Sequence, residues 1–263
     1  MINSILKALD ILDLFNSTQP RLSLAEICTR VDMPKSTVFN LLKTLESRGF
    51  IEQMANGDYA MGTAPIVLSQ SARVNVELRD RAAPLLRELA DVCHESIYLS
   101  VRDGDNILYI YAIESRHRLM ARSAIGECVP MHCTAIGKSI LAQLPIVEVA
   151  AYAERTGLPQ FTPNTITSKE ALCNEIEKIK RLGYSLDSQE HELQTYCIGA
   201  SILDARAHAV GAFSISGNDP EIIEGRLPLL VEQMKYTAQE ISRRMGFVPA
   251  SISQVTNLSL GRE

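Results

Sequence analysis

The chain lacks most of the features that would direct its interpretation elsewhere. No apolar run reaches the roughly 20 residues that a bilayer-spanning helix needs, so no membrane partner is expected. Positive charge is not in excess: 26 Lys and Arg stand against 31 Asp and Glu, a net charge of −5, which excludes indiscriminate polyanion binding. Six cysteines are scattered at 28, 93, 128, 133, 173 and 197, none in a C-x-x-C pair. The plain expectation is a reduced, cytoplasmic protein with free thiols. Met1 to Ser4 runs straight into an amphipathic pattern, so no signal peptide is expected. No internal repeat is visible.

Reactive constellations are equally sparse. Cys128, His132, Cys133 and Cys197 fit no common zinc spacing, so no metal and no cofactor is expected. A Cys–His nucleophile could be drawn from Cys133 or Cys197 with His132 or His191. No nucleophile elbow or Gly-rich oxyanion motif accompanies it, so no catalytic residue is assigned and the chain is not read as an enzyme.

What is there begins with Ser23 to Phe50. Ser23 and Glu26 make a capping box, which opens a helix with Leu24, Ile27 and Cys28 on one side. Val31-Asp32-Met33 breaks it, and Pro34 suits the first turn of a second helix. Val38, Leu41, Leu42 and Leu45 give that helix an inward apolar face, and Gly49 closes it. Its outward face carries Lys35, Ser36, Thr37, Asn40, Lys43 and Thr44, with no acid from Met33 to Leu45. Cations, hydroxyls and an amide are what phosphates and base edges accept. Ile51-Glu52-Gln53, the turn Asn56-Gly57 and Tyr59-Ala60-Met61 follow as a hairpin. A helix-turn-helix followed by a hairpin is a winged DNA-binding unit. Residues 1–62 hold six basic and seven acidic residues, so the placement of cations, not their number, supports duplex DNA as partner. The plainer alternative is a three-helix bundle with a polar face.

Downstream, Pro65 opens a linker helix to about Arg79, and Pro84 starts the next one, with Leu85, Leu86, Leu89, Val92 and Cys93 inward. Ile97, Leu99 and Val101 alternate with Tyr98 and Ser100 as a strand, and Ile107 to Tyr111 runs back after Asp103-Gly104-Asp105. Leu119 to Ile125 is expected as a third short strand. Pro130 to Leu144 holds a helix, and a second runs to about Arg155. Thr167 and Glu170 read as another capping box, opening a helix stopped at Gly183. Tyr196 to Leu203 and Ala209 to Ser216 read as strands, Glu221 to Met245 as a long helix, and residues 248–263 as a disordered tail. The pattern is α+β, with one antiparallel sheet covered by helices.

The chain resembles the IclR family of bacterial transcriptional regulators. The matching residues are Ser4 to Leu12, Leu24 to Ile27, Pro34 to Thr37, Leu41-Leu42 and Gly49 to Ile51, then His132 to Lys138, Gly183 to Asp187, Cys197-Ile198 and Ser214 to Ser216. The resemblance covers residues 4 to about 247. It implies a winged helix-turn-helix over 1–62, a linker helix over 63–79, and a GAF- or PAS-like effector-binding and oligomerisation domain over 80–247. It also implies that a small carboxylate is held by backbone amides of Thr134, Ala135, Ile136 and Gly137, by Asp187, by Cys197, and by Ser214 and Ser216. Two departures bear on the ligand and the operator. Gln194-Thr195-Tyr196 precede Cys197 where the family has Gly and Val, and Asn40 stands where it often has Arg.

The expectation is therefore a homodimeric or homotetrameric regulator, a repressor, of a catabolic operon. It binds double-stranded operator DNA and a small oxo- or hydroxy-carboxylate. Few aromatic residues lie near the matched pocket positions, which favours a sugar acid or its breakdown product over an aromatic acid. A ligand sensor without DNA binding is the main alternative.

Overall fold

The computed structural model describes residues 1–16, 19–69, 73–115 and 125–248, without the side chains of 73–76. The expected strand at 119–125, all but Ile125, which lies in a turn, and the tail from 249 therefore fall outside the described residues. The chain forms two compact units, residues 1–76 and 77–263, a division that falls inside the 63–79 stretch. No described helix is long and apolar enough to cross a membrane.

The first unit contains α1 (Asn3–Leu12), β1 (Arg21–Leu22), α2 (Leu24–Val31), α3 (Lys35–Ser47), β2 (Ile51–Gln53), β3 (Tyr59–Met61) and α4 (Ala64–Ser69). Ser23 caps α2 in a full capping box with Glu26. Asp32 ends it in the left-handed region, at φ 48°, which turns the chain into Pro34. Pro34 itself stays extended as the N-cap, and the helix begins one residue later. At the far end Gly49, at φ 72°, lets the Phe50 N–H reach the Leu45 carbonyl and its own N–H reach Glu46, a Schellman stop. Ile11, Leu22, Ile27, Val38, Leu42, Ile51 and Tyr59 form the core. β2 and β3 pair as the expected hairpin, with Gly57 at φ 90° in its loop. β1 adds a third strand to β3, too short to be seen as a pattern in sequence.

The second unit is built on a six-stranded antiparallel sheet of order β6-β5-β4-β9-β8-β7. The strands are β4 (Ser96–Asp103), β5 (Asn106–Ile113), β6 (Cys128–Pro130), β7 (Ser185–Ser188), β8 (Tyr196–Leu203) and β9 (Ala209–Gly217). The helices are α5 (Arg73–Cys93), α6 (Ala135–Leu141), α7 (Ile146–Thr156), α8 (Lys169–Leu182) and α9 (Leu227–Arg244). Period-2 alternation divides the sheet. Ile97, Leu99, Ile198, Phe213 and Ile215 pack with Leu86, Leu89, Leu230 and Met234 of α5 and α9. On the other face Ile107, Val129 and Ala212 pack with Ile136, Ile140, Tyr152, Leu172 and Ile176.

Three boundaries in the second unit differ from the sequence expectation. Pro84 does not start a helix but lies inside α5, because Leu78, Ala82, Leu85, Leu86 and Leu89 keep one buried stripe across it. The N-cap of α8 is Ser168, whose hydroxyl accepts from the Ala171 N–H, not Thr167. The last helix starts at Leu227, after a single 3-10 turn at Pro220–Ile222 capped by Asp219.

Candidate functional site

In the first unit five of the six expected contact residues on α3 are exposed. Val38 and Leu42 are buried, so Ser36, Asn40, Lys43 and Ser47, at i, i+4, i+7 and i+11, run along the opposite side of α3. Lys35 and Thr44 are also exposed, and Thr37 is half-buried. The Thr44 hydroxyl donates to the Asn40 carbonyl (2.8 Å), so towards solvent it offers mainly acceptor capacity. Lys43 lies over the Phe39 ring and pairs with Glu46 at 2.8 Å. The acid-free run ends at Leu45, and the first acid after it takes the helix's central cation. Glu46 was visible in the sequence at the i+3 spacing from Lys43.

In the second unit two rows of residues cross the sheet. One runs Ser96, Ser216, Cys197, Asp187 through β4, β9, β8 and β7. The other runs Tyr98, Ser214, Gly199, Ser185 through the same strands. α6 lies on this face because Gly199 has no side chain: a Cβ there would stand 2.6 Å from the Ala135 carbonyl oxygen. Ser185 donates to that same carbonyl, and Ser139 and Ser185 join their hydroxyls at 2.7 Å.

Between the start of α6 and these rows lies a cavity of about 90 Å³. Thr134, Ala135, Ile136, Asp187, Cys197, Ser214 and Ser216 line it, seven of the eight expected positions. Gly137 does not. Its N–H donates to the Thr134 hydroxyl (3.2 Å), and a Cβ would collide with the Met131 backbone at 2.4 Å, so its role is close packing. One of the expected amide donors is thus committed to the fold. The Cys197 thiol donates to the Ser216 hydroxyl at 3.1 Å.

Asp187 is 2% exposed. Its Oδ1 accepts from the Glu190 N–H at 2.7 Å. Burial, with the Glu190 charge beside it, pushes its carboxyl up to about 7, against the pull of that N–H and of Lys138. Lys138 is fully buried and pairs with Glu190 at 2.5 Å. Thr162 and Thr165 hold the same turn through the carbonyls of Gln189 and Glu190, at 2.6 Å each. Asp187 is therefore set on a braced turn rather than at a loose strand end.

The expectation of few aromatics near the pocket is not met. Tyr98 and Tyr109 line the cavity with their ring centroids 5.6 Å apart, and His191 joins them, its ring 5.0 Å from that of Phe161 and tilted to it by 49°. The signal was present, because Tyr98 alternates with the core residues Ile97 and Leu99. Glu114, Glu127 and Glu192 also line the cavity. Cys128, His132 and Cys133 do not converge: Cys128 is exposed beside Asp103, while the buried His132 ring is held by Tyr152 and the Pro159 carbonyl. Among the described residues no three potential metal ligands lie together.

Known proteins match the chain in both units. Residues 4–55 match the IclR helix-turn-helix domain, and residues 70–243 match the bacterial transcriptional regulator IclR C-terminal domain. The chain is 33% identical to the HTH-type transcriptional regulator KipR of Bacillus subtilis, over 93% of this chain and 97% of that one. It is 30% identical to the HTH-type transcriptional repressor AllR of Escherichia coli, over 85% and 83%. The crystal structure of the Thermotoga maritima IclR superposes with a TM-score of 0.77 at 31% identity, covering 94% of this chain and all of that one. With two family domains matched in order over most of its length, the chain is a DNA-binding transcriptional regulator of the IclR family.

Proposed function

We propose that this regulator is a repressor of a catabolic operon, released or retuned by a small oxo- or hydroxy-carboxylate bound in the cavity of the second unit. The observation that carries the reading is the convergence of Ser214, Ser216, Cys197 and Asp187, from three adjacent strands, on the start of α6. Hydroxyls from the sheet and the Ala135 and Ile136 amides supply donors for a carboxylate. Asp187 when ionised accepts from a ligand hydroxyl. Lys35, Ser36, Thr37, Asn40, Lys43 and Thr44 are the operator contacts, with Asn40 reading a base edge, Thr44 offering an acceptor, and the others gripping phosphate. The protein works in the cytoplasm as a homodimer or homotetramer. The relative named a repressor supports the sign of regulation. The tyrosine wall supports a second reading of the ligand, an aromatic hydroxy-acid in place of a sugar acid.

The test is a thermal-shift panel of small carboxylates on the full chain, with gel shifts on an operator selected from random duplexes. An acid that raises the melting temperature should also change operator affinity. Ser214→Ala and Asp187→Ala should each weaken that acid about tenfold, the loss of a buried hydrogen bond, and leave operator binding without ligand unchanged. Unchanged ligand affinity in both variants would place the pocket elsewhere. Operator binding that survives removal of residues 1–62 would sink the DNA assignment.

A further inference from the structure

The least explained group at the cavity is the Tyr109 hydroxyl. Tyr109 sits on β5 and Ser214 on β9, with β4 between them, so their backbones stand about 10 Å apart at ordinary strand spacing. Its neighbour Tyr98 spends its hydroxyl within the protein, on Glu114 at 2.9 Å. The Tyr109 hydroxyl has no hydrogen-bond partner among the described residues, although the ring is packed against the α6–α8 core. The polar groups that act on its oxygen are Cys197, Tyr98, Asp187 and Glu127, and all four line the cavity. Burial keeps the phenol protonated, so it is a donor as well as an acceptor. The fully buried side-chain atoms without a partner among the described residues are Ser100 Oγ and Glu190 Oε2, not the Tyr109 oxygen, which opens on the cavity. It is free to bond whatever polar group enters there.

Resting on the ligand reading above, we propose that Tyr109 is a ligand-contacting, specificity-determining residue: the effector is an acid with a second polar end, a hydroxyl or carbonyl remote from its carboxylate, which bonds the Tyr109 hydroxyl. A carboxylate seated on Ser214 and Ser216 leaves a two- or three-carbon oxo-acid short of β5. A longer acid lies along the Tyr98 and Tyr109 rings, whose faces accept either the C–H edge of a polyol or a flat ring. The shared chemistry is the distant hydroxyl. A sugar acid and a hydroxylated aromatic acid are its two sources.

The experiment uses the full chain as wild type, Tyr109→Phe and Tyr98→Phe, with D-gluconate, 4-hydroxybenzoate and pyruvate as probes, read by calorimetry and thermal shift. Wild type should bind D-gluconate or 4-hydroxybenzoate at least tenfold more tightly than pyruvate, and which of the two wins identifies the source. Tyr109→Phe should reduce that preference about tenfold while pyruvate binding stays as it was. Without ligand, Tyr109→Phe should melt close to the wild-type temperature, because no bond within the protein is lost, whereas Tyr98→Phe, which loses the bond to Glu114, should melt below it. The proposal is overturned if Tyr109→Phe keeps the full preference, if pyruvate binds best, or if the ligand-free variant melts as low as Tyr98→Phe. No shift with any probe in wild type would remove the effector reading itself, and this inference with it. Binding that is lost in Ser214→Ala but untouched in Tyr109→Phe would leave that reading standing and remove only the inference.

Discussion

Asp187 shows how one side chain trades stability for recognition. In an unfolded chain its carboxyl ionises near the ordinary value of 3.8, and in the folded protein near 7. Between these values the folded state holds a proton that the unfolded state has released. Its contribution to stability is therefore full below about pH 4, falls as pH rises, and is lost above about pH 7. Three units correspond to a few kcal/mol at most. Asp187→Asn keeps an oxygen for the Glu190 N–H and cannot ionise. The variant should be more stable than wild type to urea at pH 8, and the gap should shrink steadily towards pH 5. A gap independent of pH would mean that Asp187 is not buried as a titrating acid. The same variant should bind hydroxy-acids more weakly, since a carboxylate acceptor has become half donor. At residue level the position was legible through the resemblance that follows the Gly183 turn, while its strand, Ser185–Ser188, was not read as one. Its brace was not legible: Lys138 and Glu190 are 52 residues apart, and only the fold brings them together.

At the scale of elements, local chemistry was read well and tertiary choice was not. The capping box at Ser23, the Gly49 stop and the alternation in β4 and β9 depend on residues within a few positions of each other. Pro84 inside α5 and the added strand β1 depend on partners far away in sequence, which offer a buried stripe or an open sheet edge, and β7 is too short to show a pattern although its partner β8 follows it directly. For α3 the missing partner was close by. Lys43 meets a phosphate only by leaving Glu46, and Glu46 adds a like charge near any bound duplex. Glu46→Ala should strengthen binding to operator and unrelated DNA alike by several fold, while Lys43→Ala weakens both and flattens the salt dependence. Neither should change base preference, which is assigned to Asn40. Gel shifts across a salt series check this, and a Glu46→Ala protein that binds no better than wild type would take Lys43 out of the interface.

At the scale of the whole molecule, one recognition helix offers few base contacts, and an acidic 29.0 kDa chain has little general attraction for DNA. Two copies on one operator would double both the contacts and the local positive surface, each helix reading a half-site about 34 Å from the other. The first unit carries apolar surface suited to that pairing. Ile2, Ile5, Leu6 and Leu9 stand at i, i+3, i+4 and i+7 along α1 and are all exposed, on a helix whose Ile11 faces the core. Ile66, Val67 and Leu68 of α4 are 64%, 69% and 56% exposed. A single exposed Leu needs no explanation, but an outward stripe on a helix that already has an inward one does. The expected species in sedimentation at micromolar concentration is a dimer or larger. Leu9→Glu, which places a charge in the middle of the α1 stripe, should raise the monomer fraction and weaken operator binding at least tenfold. The unpaired protein should keep its fold, because Leu9 contributes nothing to the buried core of its own unit. A wild-type chain that sediments only as a 29.0 kDa species would exclude the paired arrangement. Leu9→Glu that stays dimeric and binds the operator normally would move the contact to another surface.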